Sequence, residues 1–195
     1  MNADRAARRI PDFRRLAFTT TEMIAVIVVI GVICGIAIPH INFTQYQVDA
    51  AVRTVRMAVQ NAQRLAVTRQ YNVIVSFDET SNRIRVLEDG NNNNAVDLGE
   101  RVTWVPLQDG VNFATPPAGI NGPVIMPVDG SDVVTIDGMP SIIFRRNGAG
   151  NTDLEVYLTS RRVNPNDFRG VTVLKATGRT DWYKYIGSMW TQGSI

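Results

Sequence analysis

The sequence predicts an α+β protein, in which a long N-terminal helix packs against an antiparallel β-sheet. Residues 23–38 carry no charge and are almost entirely apolar, and the segment after them shows the apolar spacing of an amphipathic helix. Beyond residue 71 the apolar period changes to two, which is typical of strands. With 45% hydrophobic and 19% charged residues among 195, the chain is expected to fold around a packed core.

The net charge of +2 is concentrated at the N-terminus. Residues 1–17 contain five arginines and two aspartates, a net of +3, which leaves 15 basic and 16 acidic side chains elsewhere. This segment is polar and has no periodicity, so we expect residues 1–17 to form a cytoplasmic leader outside the fold. The arginines also predict a cytoplasmic N-terminus and a C-terminal domain on the other side of the membrane.

Residues 18–39 are predicted to form a transmembrane helix in the inner membrane. Twenty-one residues from Phe18 give a helix of about 31 Å, enough for a hydrocarbon core of about 30 Å. Two alternatives remain for this segment. A cleavable secretory signal would need a small-residue site that is not obvious here. A lipoprotein cleaved before Cys34, the only cysteine, would have the bulky Ile33 where a small residue is required.

Residues 40–70 are predicted to continue the helix as an amphipathic spine. An unbroken helix from Phe18 to Arg69 would be roughly 75 Å long, so only its second half can serve a soluble domain. The face predicted to be buried follows a spacing of three and four residues. It consists of Val48, Ala51, Val52, Val55, Ala58, Val59, Ala62, Leu65 and Ala66.

Residues 71–195 are predicted to form a periplasmic β-rich domain. A hairpin turn is expected at residues 79–82, and proline- and glycine-rich connections separate the later strands. The predicted strands are Asn72–Phe77, Arg83–Glu88, Arg101–Leu107, Val133–Ile136, Ser141–Phe144, Leu154–Leu158, Val171–Ala176 and Asp181–Ile186.

The segment Ala17-Phe18-Thr19-Thr20-Thr21-Glu22-Met23 directly precedes the apolar run and resembles the class III signal of type IV prepilins. The resemblance implies a pilin-like fold. It also implies cleavage between Ala17 and Phe18 by the prepilin peptidase, which would methylate the new N-terminus. Where Ala17 and Thr20 stand, the family usually has glycine and leucine, which implies slower processing.

Glu22, Gly31 and Pro39 occupy positions that the resemblance links to filament assembly. An unpaired glutamate within an apolar membrane helix costs about 3 kcal/mol. Cleavage before Phe18 would create an amine at a similar depth, so Glu22 can pair with the amine of a neighbouring subunit. Gly31 and Pro39 lie where pilins often loosen the helix. The alternative is a plain signal anchor whose glutamate lies at the membrane interface.

Over residues 48–186 the chain resembles the GspH/FimT-type pseudopilins. Three short stretches carry the likeness, at residues 58–77, 142–148 and 177–179. The resemblance implies a minor pilin or pseudopilin in a type II secretion pseudopilus or a type IV pilus, with other pilins as its partners.

A second function class is a binding module at the filament tip, for DNA or for a secreted substrate. Some relatives bind DNA through a Gly-Arg-x-Arg segment, of which Gly178 and Arg179 are present here while Asp181 replaces the second arginine. Candidate phosphate contacts are Arg161, Arg162 and Arg179.

Residues 89–100 place oxygen-bearing side chains at the spacing of a twelve-residue calcium loop. The alternative is a polar, asparagine-rich connection that binds nothing, and no other cofactor is required. The candidate Ca²⁺ ligands are Asp89, Asn91, Asn93, the carbonyl of Ala95, Asp97 and Glu100.

The residue inventory gives an enzyme little to use. The chain has one histidine, His40, which follows the apolar segment, and one cysteine, which lies within it. No nucleophile elbow, phosphate-binding loop or zinc-ligand cluster occurs. We therefore expect a structural or binding protein rather than an enzyme.

Overall fold

The structure, a computed structural model, describes residues 18–37, 43–116 and 133–193. Within these residues it contains two α-helices, α1 (Thr20–Ala37) and α2 (Phe43–Arg69), and a short 3-10 helix, Pro165–Asp167. The predicted leader, Pro39 and His40 lie outside the described residues, and so does the point at which one continuous helix was expected to join α1 to α2. Contacts divide the chain into two compact units, residues 1–42 and 43–195, and each is described by itself.

Helix α2 is amphipathic, as its spacing predicts. No glycine or proline interrupts its 27 residues, and Gln70 ends it by adopting a positive φ of 61°. The predicted apolar face is confirmed except at Leu65, which lies half-buried at its edge. The fully buried members are Val48, Ala51, Val52, Val55, Ala58, Val59, Ala62 and Ala66.

In the part of the chain that the structure describes, ten strands form two five-stranded antiparallel sheets. The first sheet has the order β3-β2-β1-β6-β5, and the second has the order β10-β9-β8-β7-β4. The strands are β1 Asn72–Asp78, β2 Arg83–Asp89, β3 Arg101–Pro106, β4 Val111–Phe113, β5 Val134–Ile136, β6 Met139–Phe144, β7 Leu154–Ser160, β8 Arg169–Val173, β9 Thr180–Ile186 and β10 Met189–Gln192.

The turn between β1 and β2 lies where it was expected, and Asp78 holds it. One Asp78 carboxylate oxygen accepts from the Ser81 amide at 3.0 Å, and the other accepts from the Arg83 side chain at 2.9 Å. The hydrogen bond from Arg83, followed by that from the Ser81 amide, lowers the pKa of Asp78. Asn82 completes the turn at a φ of 47°, a conformation that asparagine tolerates well.

A common core forms where the apolar face of α2 meets both sheets. From the first sheet it receives residues such as Val75 and Ile142, and from the second sheet residues such as Leu158 and Val171. The opposite face of the first sheet carries a smaller cluster made of Ile74, Leu87, Ile136 and Ile143. The predicted α+β class, a helix packed against antiparallel sheets, is therefore confirmed.

All eight predicted strands are present, and the described residues contain two further strands that were not predicted. The strand predicted at Val171–Ala176 begins two residues earlier and ends three residues earlier, at Arg169–Val173. The missed strands, Val111–Phe113 and Met189–Gln192, have only three and four residues and, unlike the equally short β5, contain no run of β-branched residues. Both are edge strands, and pairing with β7 and β9 defines them.

Candidate functional site

The surface of α1 is apolar on every side. Of its 18 residues only Glu22 is charged, and its described side chains are all exposed. The large apolar side chains stand out by 47% or more of their area, for example Ile27 at 68% and Ile36 at 65%. Exposed apolar surface of this extent is unusual for a soluble protein and marks a site of contact with other apolar material.

Glu22 lies in the first turn of α1, in a local arrangement that the sequence analysis missed. The Glu22 amide donates to the Thr19 hydroxyl at 3.2 Å, and the Met23 amide donates to the Thr19 carbonyl at 3.1 Å. Thr19 is therefore the N-cap, and Thr19-Thr20-Thr21-Glu22 matches the capping-box pattern, which was the available signal. A carboxylate here also interacts favourably with the helix dipole. Glu22 contributes its backbone amide to this cap, so an assembly test must keep a residue that suits the first turn while it removes the charge.

The remaining residues predicted for processing and assembly are placed as follows. Phe18 is exposed just before α1, while Ala17 and Pro39 lie outside the described residues. A Cβ added to Gly31 would meet nothing within 4 Å, so nothing described packs against this position. None of the helices described for residues 18–37, 43–116 and 133–193 has the length and apolar character needed to cross a membrane.

The asparagine-rich loop forms a closed network of hydrogen bonds. The side-chain amides of Asn91 and Asn93 both donate to Asp97, at 2.7 and 2.6 Å. These two hydrogen bonds lower the pKa of Asp97. Glu100 closes the loop by accepting from the backbone amides of Gly90 and Asp97, both at 3.1 Å.

Asp89 anchors the start of this loop from a fully buried position at the end of β2. Its two oxygens accept from the amides of Asn93, at 3.1 Å, and Asn94, at 2.8 Å. Asn94 has a φ of 61°, the left-handed conformation expected at the sixth position of a calcium loop. In the part of the chain that the structure describes, no three acidic, histidine or cysteine side chains are grouped closely enough to hold a metal ion. Binding of Ca²⁺ would therefore require Asp89, Asp97 and Glu100 to move together.

The structure does not bring the three candidate DNA contacts together. Arg161 and Arg162 directly follow β7, whereas Arg179 directly precedes β9. Strands β7 and β9 both pair antiparallel with β8 and so run in the same direction, which places the pair and Arg179 at opposite ends of the second sheet. Arg179 is also paired with Asp181, with 2.9 Å between the guanidinium Nε and a carboxylate oxygen.

Gly178, which matched the DNA-binding segment, has a packing role instead. Gln63 of α2 donates to the carbonyls of Gly148, at 2.9 Å, and Thr177, at 2.7 Å. A Cβ on Gly178 would lie 2.3 Å from the Gln63 side-chain nitrogen and 2.5 Å from the Gly148 carbonyl oxygen. Its φ of 65° also favours glycine. Gly178 therefore lets two turns, one from each sheet, close around Gln63.

Comparison with known proteins gives matches only among solved structures, since no family model and no curated protein sequence match. The minor pseudopilin EpsH of the type 2 secretion system of Vibrio cholerae is similar over 67% of this chain and 94% of its own, with 14% identity and a TM-score of 0.43. A second EpsH structure gives 71% and 96%, with 12% identity and a TM-score of 0.44. The type IV minor pilin FimU of Pseudomonas aeruginosa gives 76% and 95%, with 13% identity and a TM-score of 0.45.

Proposed function

We propose that this chain is a minor pilin or pseudopilin, a non-enzymatic structural subunit of a type II secretion pseudopilus or a type IV pilus. The observation that carries the proposal is the surface of α1, which is apolar on every side and interrupted by one carboxylate, Glu22. A helix with apolar side chains all round is stable only when it is surrounded by lipid or by other apolar helices. Helix α1 covers only part of the segment 18–39, and in this proposal the whole segment inserts into the inner membrane and then bundles with the equivalent helices of other subunits, which supplies both environments.

Processing between Ala17 and Phe18 would turn this membrane anchor into a helix that can polymerise. The prepilin peptidase would remove residues 1–17 and methylate the amine of Phe18. The new positive charge would lie four residues before Glu22, one helical turn away. Pairing of Glu22 with the amine of the adjacent subunit would remove the cost of a lone carboxylate among apolar helices and fix the axial offset between subunits.

The decisive experiment separates the charge of Glu22 from its place in the capping box. Glu22→Gln removes the charge but retains a residue that suits the third position of the box. We expect this variant to be cleaved before Phe18 and to remain in the membrane, but to be at least tenfold depleted from sheared filaments. Mass spectrometry of the N-terminus and immunoblotting of the sheared fraction measure the two steps.

Thr19→Ala is the matched control, because it removes the cap and leaves the charge in place. We expect it to assemble close to the unmutated level, since an apolar helix in lipid does not depend on a single cap. Assembly of Glu22→Gln at the unmutated level would contradict the pairing. An intact leader on membrane-extracted protein would contradict the proposal as a whole.

We also propose that the asparagine-rich loop binds Ca²⁺ weakly. The support is the loop's spacing of oxygen atoms and the left-handed conformation of Asn94. With three carboxylates, the affinity is expected in the millimolar range typical of extracellular modules, about 10⁻³ M. Calorimetry of the full chain with CaCl₂ should show binding that Glu100→Gln weakens at least fivefold. Glu79→Gln, at the exposed β1–β2 turn, should leave it unchanged, and absence of heat from the unmutated chain would end the idea.

A further inference from the structure

A polar pocket of about 350 Å³ lies on the side of the first sheet that carries Ile143, away from α2. It forms where the asparagine-rich loop approaches the turn that connects β6 to β7. No acidic side chain is among the described residues that line it. The polar lining consists of Asn72, Asn92, Asn94, Arg145, Arg146 and Asn151.

Three of the asparagines have their oxygens already engaged. Asn92 and Asn94 accept from the backbone amide and the side chain of Asn72, at 2.7 and 3.4 Å. Asn151 accepts from the backbone amide of Ile143 at 2.7 Å. These bonds fix the orientation of each carboxamide, because only its oxygen can accept. No described residue accepts a hydrogen bond from the NH₂ groups of Asn92, Asn94 and Asn151, so these groups can donate to a ligand.

The two arginines add charge at the same place. Arg145 and Arg146 are exposed, and within the described residues neither guanidinium has a hydrogen-bond or ion-pair partner. Their backbone is held firmly, since the Arg145 amide donates to the Ala149 carbonyl at 2.9 Å and the Gly148 amide donates to the Arg145 carbonyl at 2.7 Å. Gly148 packs this turn against α2, and a Cβ at that position would lie 3.1 Å from Val67, close enough that Val67 would have to shift slightly. Two adjacent guanidinium groups thus lie on a fixed turn without a counter-ion among residues 18–37, 43–116 and 133–193.

We propose that this pocket binds an oxyanion of the phosphate class. A lining that offers three carboxamide donors and two guanidinium forks, with no acidic side chain among its described residues, favours a ligand that accepts hydrogen bonds and carries negative charge. Phosphate presents up to four oxygens in a tetrahedron, so it can accept from the asparagine-rich loop and from the β6–β7 turn at once. A carboxylate has two oxygens in one plane and would leave the donors of one of these two segments without a partner. The ligand is either free phosphate or a phosphodiester of a nucleic acid strand.

Calorimetry of the full chain in an uncharged detergent at low ionic strength, with inorganic phosphate as the probe, tests the proposal. We expect binding that R145A/R146A weakens at least tenfold. R145K/R146K keeps the charge but loses the bidentate forks and should fall between the two. Circular dichroism should show unchanged thermal unfolding for both variants, since neither side chain has a partner to lose.

R53A/R64A is the matched control, because it removes the same charge from the exposed face of α2, outside the pocket. It should weaken phosphate binding by less than twofold. Equal weakening by the two alanine pairs would show a general effect of charge and overturn the proposal. Absence of phosphate binding by the unmutated chain, or acetate that binds as tightly as phosphate, would overturn it as well.

A fluorescent single-stranded DNA of 12 nucleotides distinguishes the two sources. If the ligand is a phosphodiester, the DNA should bind more tightly than inorganic phosphate, and phosphate should compete with it. R145A/R146A should then weaken DNA binding by the same factor as phosphate binding. If the ligand is free phosphate, the DNA should fail to displace it. DNA that binds tightly but is insensitive to R145A/R146A would place nucleic acid elsewhere on the chain and overturn the phosphodiester assignment.

Discussion

Helices α1 and α2 have opposite relations to the rest of the protein, although they are neighbours in sequence. In α2 eight apolar side chains are buried against two sheets of the same chain, and the polar residues face outward. In α1 the described side chains are all exposed, and almost all of them are apolar. The packing partners of α2 lie within the described residues, whereas none of the described residues covers the apolar surface of α1. Under the proposed function, α2 serves stability and α1 serves assembly.

The strongest way to break this comparison is to place the same charge on each helix. Val55→Asp would bury a carboxylate without a partner in the common core, and we expect a loss of about 4 kcal/mol or more in the free energy of unfolding. Val29→Asp, on exposed α1, should leave unfolding of the β-rich unit unchanged while it impairs membrane insertion. Thermal unfolding of each full-length variant in detergent, monitored by circular dichroism, measures the effect on unfolding. The amount of each variant in the membrane fraction measures the effect on insertion.

Met57→Asp is the control on α2 itself, because Met57 is 69% exposed on the outer face. It should change the unfolding free energy by less than about 0.5 kcal/mol. If Val55→Asp proved as mild as Met57→Asp, the burial of the α2 face would be wrong.

The next largest effect on stability is expected where the turn at Gly178 approaches Gln63 of α2. Gly178→Ala would force a Cβ against Gln63 and the Gly148 carbonyl at a positive φ, and we expect it to cost about 3 kcal/mol. Gly187 has a similar φ of 68° but open space around it, so Gly187→Ala should cost only about 1 kcal/mol. Chemical denaturation of the two variants isolates the crowding from the backbone strain. Equal losses of unfolding free energy in the two variants would show that the Gln63 side chain moves aside for the added Cβ.

A smaller effect is expected from the ion pair that joins α2 to the second sheet. Arg169 is buried, with 4% of its side chain exposed, and its guanidinium Nε donates to Asp49 at 2.6 Å. Asp49→Ala would leave this buried charge short of its partner, at a cost of about 2 kcal/mol, because Asp49 itself is a third exposed. Asp181→Ala, which breaks the exposed pair with Arg179, should cost less than about 1 kcal/mol by the same denaturation assay. A smaller loss of unfolding free energy for Asp49→Ala than for Asp181→Ala would contradict a stabilising role of the Arg169–Asp49 ion pair.

Elements with a long regular pattern could be predicted from the sequence. The face of α2 repeats over five turns against a continuous core, so Val48 through Ala66 could be identified from spacing alone. Strands β4 and β10 could not be predicted, because they form through pairing with a neighbouring strand rather than through a pattern of their own. Leu65 was assigned to the core because it fits the spacing, but it falls at the boundary of the buried face.

Sites that join distant segments were harder to predict than elements. Arg161 and Arg179 are both basic and close in sequence, but strand direction separates them. The proposed phosphate pocket was not predicted because its residues are far apart in sequence and come together only in the fold. It combines residue 72, residues 92–94 and residues 145–151, which meet only because β1 pairs with β2 on one side and with β6 on the other. Neither strand order nor direction is written in local composition.

The alternation of contacts along the asparagine-rich loop has a thermodynamic consequence. Asn91 and Asn93 bond to Asp97, while Asn92 and Asn94 bond to Asn72 at the wall of the pocket. If the proposed cation reorganises the first pair, we expect the second pair to shift as well, since the four residues are consecutive in the backbone. By linkage, any factor by which Ca²⁺ changes the affinity for phosphate would equal the factor by which phosphate changes the affinity for Ca²⁺. Under the two proposals, four asparagines in a row would thereby couple a cation and an anion.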